Sequence, residues 1–391
     1  MKKRWVLILT ALGAAALMAL MCFAGDIRIS SYPYPTYLLQ AKAWLDGMVH
    51  LPKNYEFLEL AVYEGNYYVS FPPVPSVPMV LWALIFGDKV PGGLFQKIYV
   101  MIACVLILSE LMRTKRMKAP DCVAWAILLC FASALLPITA VGAVWYEAQI
   151  LAFLFAVAAI VALRRNRIVL ACLCYALAVG CRPFTVLLGP VLLMMYLKMN
   201  REAPLKQRIL KLVPGLIAGL CVAAVYAWYN YVRFGNPLEF GHNYLPEFMR
   251  AEHGQLSLVY LKKNLKDFLF RLPFDLKDGE IFFNAFGFSM FLSCPVFICL
   301  LVWILQDLIR RRFTAEKAVI LLMWVVNIIL LCMHRTLGGY QFGARYAVEM
   351  LPLVFCYLLL SEHKRRMTRW ECALLFAGLI FNFAGGCLIH V

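Results

Sequence analysis

Long apolar runs recur along the chain and are cut apart by short polar or basic stretches. A run of about 20 residues at 1.5 Å per residue matches a hydrocarbon core of about 30 Å, so each reads as a spanning helix. Eleven spans are predicted, at 5–24, 95–112, 122–139, 145–163, 168–181, 184–199, 212–230, 284–305, 318–332, 346–360 and 370–390. Two regions need argument. The stretch 168–199 is too long for one crossing and basic at both ends, so it turns back at Cys181-Arg182-Pro183. The run 74–87 has only 14 residues and opens among Pro73, Pro75 and Pro78, which suits an interfacial or re-entrant segment. The first run starts basic but leads into no small-x-small cleavage site, so it is expected to remain as an anchor. The pattern predicts an all-α, polytopic membrane protein with about 11 transmembrane helices. One domain is expected over 1–391, with a long first outer loop that contains juxtamembrane helices.

Composition agrees. Hydrophobic residues make up 63% of the 391 and charged residues 15%, and mean hydropathy is +0.76. Soluble domains run at about 45–50% apolar and about 25% charged. This balance excludes a cytosolic enzyme, a disordered chain and a nucleic-acid binder. A net charge of +16 would otherwise point to an anionic partner, but it is not evenly spread. With the N-terminus inside, the inner segments are 2–4, 113–118, 164–167, 198–211, 310–317 and 364–369. They hold 23 of the 38 Lys and Arg residues and adjoin seven of the 22 acids. The other side keeps fifteen of each sign, so the whole net charge lies on one face, as the positive-inside rule requires. Reading 74–87 as a span would invert every later loop and destroy the bias. The fourteen cysteines lie in apolar runs without a spaced framework or paired CxxC motifs, and read as small buried hydrophobes.

Candidate chemistry gathers on the outer face, in the loops 25–94 and 231–283 and the glycine-rich stretch 334–345. Asp26 follows the first span, where a carboxylate opposes the helix dipole. In 36–48, Leu38, Leu39, Trp44, Leu45 and Met48 can share one side of a helix lying on the membrane, with Gln40, Lys42 and Asp46 more polar. Gly65-Asn66 is expected to turn a Tyr-rich hairpin over 62–69. Glu147 opens a span, where the dipole favours an acid. Arg182 stands at a hairpin tip, where it can also snorkel. Arg345 and Glu349 are i,i+4 neighbours able to pair with each other. His242 and His253 lack metal-ligand spacing with partners. There is no P-loop, GxSxG or HExxH, and the first loop has no Asp-x-Asp or adjacent acid pair. The residues therefore indicate no cofactor, and a divalent metal is left open.

Four pieces, in order and on one side, carry a family resemblance. The first is Asp26 followed by Tyr37-Leu38-Leu39-Gln40-Ala41-Lys42 and Trp44-Leu45-Asp46-Gly47. The second is Gly65-Asn66-Tyr67-Tyr68-Val69-Ser70-Phe71-Pro72-Pro73. The third is Trp145-Tyr146-Glu147-Ala148-Gln149 with Gly180-Cys181-Arg182-Pro183 downstream. The fourth is Arg233-Phe234-Gly235-Asn236-Pro237, answered by Gly339-Tyr340-Gln341-Phe342-Gly343-Ala344-Arg345-Tyr346. Together they resemble the polytopic GT-C glycosyltransferases that use polyprenyl-phosphate sugars, in the bacterial protein mannosyltransferase and aminoarabinose transferase branch. Some members carry an acidic dyad in the first loop; here Asp26 has no adjacent acid. The resemblance implies transfer of a sugar from a polyprenyl-phosphate donor to a glycan, lipid or protein acceptor of the cell envelope. It places the chain in the bacterial cytoplasmic membrane, N-terminus cytoplasmic and site outward. It implies catalytic roles for Asp26 and Glu147, and substrate contacts from Arg182, Arg345, Tyr340, Gln341, Tyr68 and His242. Two other readings stay open, a lipid-linked glycan ligase or polymerase and a transporter or flippase. The absence of internal repeats and of midplane charges favours the transferase over the transporter.

Overall fold

Helices occupy nearly every apolar run of the chain, which the computed structural model describes over residues 3–277, 279–361 and 366–388. In chain order they open with α1 (Lys3–Ala24) and α2 (Thr36–Leu45), then a hairpin of β1 (Leu60–Tyr63) and β2 (Asn66–Val69), then α3 (Ser76–Phe86). The central stretch holds α4 (Gly92–Arg113), α5 (Ala119–Cys130), α6 (Val144–Arg164), α7 (Ile168–Val179), α8 (Leu188–Met199) and α9 (Leu205–Phe234). After it come α10 (Pro246–Met249), α11 (Leu258–Phe270), a second hairpin of β3 (Phe274–Lys277) and β4 (Glu280–Phe283), and α12 (Met290–Ser293). The chain closes with α13 (Val296–Ile309), α14 (Ala315–Met333), α15 (Leu351–Leu360) and α16 (Arg369–Leu388). Of the basic segments, residue 2 and residues 364–365 lie outside the described residues, as does the end of the last predicted span.

The bundle packs around α6, whose apolar window is 83% buried, against 6% for α9. Helix α9 bares Leu210, Ile217, Leu220 and Val225. A long helix that is apolar and exposed along its length is stable only with hydrocarbon as solvent. The chain is a multi-pass helical membrane protein. Among the described residues, six helices are long and apolar enough to cross alone: α1, α4, α6, α9, α14 and α16.

The other predicted spans are shorter or broken. In 122–139 the helix stops at Cys130, and a 3-10 turn over Pro137–Thr139 ends the run. Ser133 Oγ donates to the Leu129 carbonyl there, competing with the helical ladder. In 284–305 helix begins only after Ser289 caps α12, and Pro295 separates α12 from α13. In 346–360 the first part, Arg345–Met350, is a 3-10 helix that leads into α15. The breaks after Cys130 and at Arg345–Met350 are buried among neighbouring helices, which is where irregular backbone is tolerated at membrane depth, while the stretch around Phe286 is partly exposed. The fourteen cysteines are free, and ten of them are buried.

At the end of the bundle that carries the long loops, three expectations change. The first hairpin turns at Glu64-Gly65, one residue early, with φ of +47° and +77°. Helix α2 does not present Gln40 to solvent. Gln40 is buried, accepts from Ser76 Oγ at 2.6 Å and donates to Tyr229 Oη at 3.0 Å, tying α2 to α3 and α9. Helix α11 had no counterpart in the pattern. It lies along α14, and Asn264 donates to the Cys332 and His334 carbonyls at 3.2 and 2.7 Å. Helix α9 stops at Gly235, a left-handed C-cap at φ +65° followed by Asn236-Pro237.

At the opposite, basic end, buried carboxylates are neutralised. Glu110 takes Arg113 at 2.7 Å and Arg164 at 3.2 Å, joining α4 to α6. Asp307 takes Lys317 at 2.7 Å and Tyr357 at 2.6 Å. Removing one partner of such a pair typically costs 3–5 kcal/mol, so these contacts fix helix register more than they add net stability.

Candidate active site

The loop end is built on one buried lysine. Lys97 Nζ, in the first turns of α4, donates at 3.2 Å to three carbonyls, Ile29, Gly93 and Ala140. This fastens the segment after α1 to the turn before α6. The Gly142 N–H donates to the Ser31 carbonyl at 2.8 Å, and a Cβ at Gly142 would lie 2.5 Å from the Tyr32 ring. No larger residue fits there. Tyr32 is thereby held so that its hydroxyl donates to Glu147 Oε2 at 2.6 Å. Burial, and then the Glu147 charge, hold the Tyr32 phenol well above its ordinary range, so it stays a donor. Glu147 is fully buried in the first turn of α6, and its Oε1 has no hydrogen-bond partner among the described residues. Tyr37, whose buried hydroxyl has no partner among the described residues, responds to the charges of both Glu147 and Arg182.

A second cluster adjoins the first. Arg182 donates to Glu349 Oε1 through Nε at 2.7 Å and pairs through Nη2 at 2.6 Å. The expected Arg345–Glu349 pair does not form. Those residues lie in the 3-10 stretch Arg345–Met350, where three residues make a turn and i,i+4 neighbours point about 120° apart. Arg345 is 3% exposed and is held by Gln149, whose Oε1 accepts from Arg345 Nη1 at 3.2 Å. Gln149 Nε2 in turn donates to the Arg345 carbonyl at 3.2 Å and to Glu349 Oε1 at 3.4 Å. The two guanidiniums flank the Tyr346 ring, 5.3 Å and 4.7 Å from its centroid. Gly338, at φ +113°, lets Arg345 lie against its backbone; a Cβ there would sit 3.0 Å from Arg345 Nε. That Nε has no partner among the described residues. Of the two guanidiniums only the half-buried Arg182 is paired with a carboxylate; the buried Arg345 has none among the described residues, so the cluster keeps an unmatched positive charge.

A cavity of about 290 Å³ opens beside Arg182. Phe71, Phe240, Tyr346, His242, His334 and Glu349 are among the residues that line it. His242 Nδ1 lies 2.8 Å from the Ser70 carbonyl. A carbonyl only accepts, so Nδ1 carries the proton and Nε2 is left as an acceptor. His334 is held by Gln255 at 3.3 Å and by the Thr336 carbonyl at 2.8 Å. Burial, with Arg182 adding to it, pushes both imidazoles down to about 4, so both are neutral at physiological pH.

The structure therefore brings together Glu147, Arg182, Arg345 and His242. It does not bring in the rest. Asp26 is exposed, at φ +52°, and its side chain makes no hydrogen bond among the described residues. Tyr68 is packed between His50 and Phe234, in the core of the first hairpin. Gln341 is a brace: its Oε1 accepts from the Arg345 N–H at 3.0 Å and its Nε2 donates to the Leu337 carbonyl at 2.9 Å. Tyr340 is 39% exposed, and its carbonyl, not its ring, takes a hydrogen bond, from Tyr146 at 3.0 Å. Sequence reasoning gave no role to Tyr32, Gln149, His334 or Tyr346, and saw in Glu349 only a partner for Arg345. The one available signal was proximity to the quoted motifs.

No protein-family model matches the chain, and no curated protein matches it. Two solved structures do. ArnT from Cupriavidus metallidurans, bound to undecaprenyl phosphate, aligns at a TM-score of 0.55 and 13% identity, over 97% of this chain and 63% of its own. The oligosaccharyltransferase of Archaeoglobus fulgidus, in the apo form, aligns at 0.55 and 13% identity, over 99% of this chain and 56% of its own. The chain thus spans less than two thirds of either structure. It has the fold of the GT-C membrane glycosyltransferases.

Proposed function

We propose that this protein is a glycosyltransferase that moves a sugar from a polyprenyl-phosphate donor to an acceptor of the cell envelope. The reaction takes place at the loop end of the bundle, facing outward. The observation that carries the reading is the unmatched positive charge of the Arg182–Arg345 cluster. A buried guanidinium without a counter-charge is costly, and a bound phosphate supplies the missing anion. ArnT, bound to undecaprenyl phosphate, shares the fold and supports a lipid phosphate as that anion.

In this reading Arg345 takes the donor phosphate, because Glu349 already occupies Arg182. A guanidinium offers two parallel N–H groups to a phosphate, which an ammonium cannot copy. The acceptor oxygen attacks C1 of the sugar while the C1–O bond to phosphate breaks, and polyprenyl phosphate leaves with that electron pair. The hydroxyl proton passes to a carboxylate, which we assign to Glu147 ahead of Asp26. Tyr37 responds to the charges of both Glu147 and Arg182, and Glu147 Oε1 has no hydrogen-bond partner among the described residues, whereas the Asp26 side chain is exposed and bonds to none of the cluster.

The test uses purified protein in nanodiscs with radiolabelled undecaprenyl-phosphate mannose and undecaprenyl-phosphate glucose. Release of undecaprenyl phosphate is the expected result. Arg345→Lys should lower turnover by roughly 10²–10³, by analogy with losing one positioned charge-stabilising donor. Unchanged turnover in Arg345→Lys would hand the phosphate to Arg182.

A further inference from the structure

The β3–β4 hairpin leaves one face uncovered. Its strands pair Phe274 with Phe283 and Leu276 with Ile281, so these four apolar side chains share a face, and Asp275, Phe282 and Glu280 share the other. All four are exposed, Leu276 by 75% and Ile281 by 73%. Phe270 and Leu272 before β3 and Phe286 after β4 are bare as well. A two-stranded hairpin is marginal in water, and a contiguous apolar patch marks a surface that something covers. The base of the hairpin fixes the direction of that face. Asn284 accepts from Arg271 Nη2 at 2.6 Å and donates to the Leu272 carbonyl at 2.8 Å, and the Ala285 carbonyl accepts from the Gln341 N–H at 2.8 Å.

Depth and charge say what covers it. Phe283 stacks on Phe342 with ring centroids 5.8 Å apart, and Phe342 packs on Phe381 of α16 at 5.0 Å. At 1.5 Å per residue Phe381 stands about 18 Å above Arg369, where α16 begins at the basic end, so it lies past the middle of a core about 30 Å thick. Its neighbour Ile380 is bare on the lipid side of α16. The apolar face of the hairpin therefore continues a lipid-facing surface. On α11, Lys263, Lys266 and Phe270 fall on one side, and they meet Arg271, Phe274 and Leu276 across an open cleft of about 710 Å³. Arg271 pairs with Asp275 at 3.2 Å. Lys263 and Lys266 make no ion pair among the described residues, and Asp267 is the one further acid on the wall. Cations beside bare apolar side chains match an anionic headgroup with its acyl chains.

We propose that α11 and the β3–β4 hairpin form an interfacial anchor. The face of Phe274, Leu276, Ile281 and Phe283 enters the acyl region of the leaflet at the loop end of the bundle, and Lys263 and Lys266 bind the phosphate of an anionic phospholipid. The strand edges keep the insertion shallow, because unpaired backbone groups are not left in hydrocarbon. The lysine stems lie over apolar surface while their ammonium groups reach the headgroups. Part of the loop 231–283 thus lies in the membrane rather than beyond it. The anchor does not depend on the transferase reading.

The test places nitroxides on the full chain in nanodiscs of phosphatidylcholine and phosphatidylglycerol. The background is Cys221→Ser, because Cys221 is the exposed cysteine. Labels at Leu276→Cys and Ile281→Cys should be reached by oxygen and shielded from a water-soluble nickel chelate, like a label at Ile380→Cys on α16. A label at the exposed Glu252→Cys should show the reverse. Nickel access at residues 276 and 281 equal to that at 252 would overturn the proposal. So would dipolar broadening between labels at residue 281, which would show that a second copy covers the face. For the headgroup, photoactivatable phosphatidylglycerol should crosslink to residues 258–286, in competition with unlabelled phosphatidylglycerol but not with phosphatidylcholine. One cation near a membrane surface contributes about fivefold in binding. Lys263→Gln/Lys266→Gln should therefore cut the yield in this segment by about tenfold or more, and Lys263→Arg/Lys266→Arg should keep it. Both lysines are exposed, so neither pair threatens the fold. An unchanged yield in the Gln pair would overturn the headgroup assignment and the proposal with it.

Discussion

Replacing Glu147 by Gln separates the chemistry of the site from its architecture. The side chain keeps its volume, and a Gln carbonyl still accepts from the Tyr32 hydroxyl, which is 2.6 Å from Glu147 Oε2. Two effects on stability oppose each other. An acid in the first turn of α6 gains about 0.3–1 kcal/mol from the helix dipole, and that is lost. A buried carboxyl, costly to desolvate whenever it ionises, is also replaced by a neutral amide, which offsets it. The variant should therefore fold and unfold close to wild type. Only the ability to take a proton disappears. Positioned general bases contribute typically about 10²–10⁴ in rate, or roughly 3–5 kcal/mol of barrier. Single-turnover transfer from radiolabelled undecaprenyl-phosphate mannose or glucose should fall by that factor, with donor affinity unchanged. The pH–rate profile should also lose its acid limb in the variant, which a merely structural defect would not cause. The reasoning fails if Glu147→Gln turns over within about threefold of wild type while Asp26→Asn drops by about 10². The base would then be the exposed carboxylate after α1.

Two further predictions concern sidedness and acid stability. Single cysteines at Asn66, Asn243 and Gly339 should label with an impermeant thiol reagent in intact cells, and those at Asn166 and Asn200 should not. Gly339 is chosen over Gly338 because a Cβ there meets open space; labelling at Asn166 would invert the arrangement. His242 and His334 titrate at about 4 in the fold and at about 6.5 in the unfolded chain, which therefore binds more protons between those values. Their contribution to stability is full above about pH 6.5 and shrinks as pH falls toward 4. The variant His242→Gln/His334→Gln should flatten the fall in Tm over that window, and an unchanged slope would refute the assignment.

Much of the fold was legible because its causes are local. Apolar length, basic turns and proline placement gave the helical class and the positions of α1, α4, α6, α9, α14 and α16. Arg182 and Glu147 were legible as ionisable groups beside apolar runs, a placement that water alone does not require. Their partners were not. Tyr32 meets Glu147 across 115 positions, Arg182 meets Glu349 across 167, and Gln149 meets Arg345 across 196. No periodicity in one chain encodes such meetings. The i,i+4 rule named a wrong partner for Glu349 because it assumes α geometry, and the backbone there is 3-10. Gln40 was misplaced for a related reason: its spacing on α2 looked solvent-facing, but α3 and α9 cover that face.

The departures from the predicted spans are themselves informative. Three of the eleven runs, 122–139, 284–305 and 346–360, are apolar enough to cross a bilayer and yet are broken. In hydrocarbon a broken backbone leaves polar groups unpaired, so it survives only where protein surrounds it. Two of these breaks supply the site directly. The first delivers the Ala140 carbonyl that Lys97 grips, and so places Tyr32 beside Glu147. The last delivers Arg345 and Glu349 on a 3-10 turn, with Arg345 at Gln149 and Glu349 at Arg182. A continuous α-helix would have set those two residues about 40° apart on one face, where each would have neutralised the other. The 3-10 turn separates them, and that separation leaves one guanidinium without a counter-charge for an incoming anion.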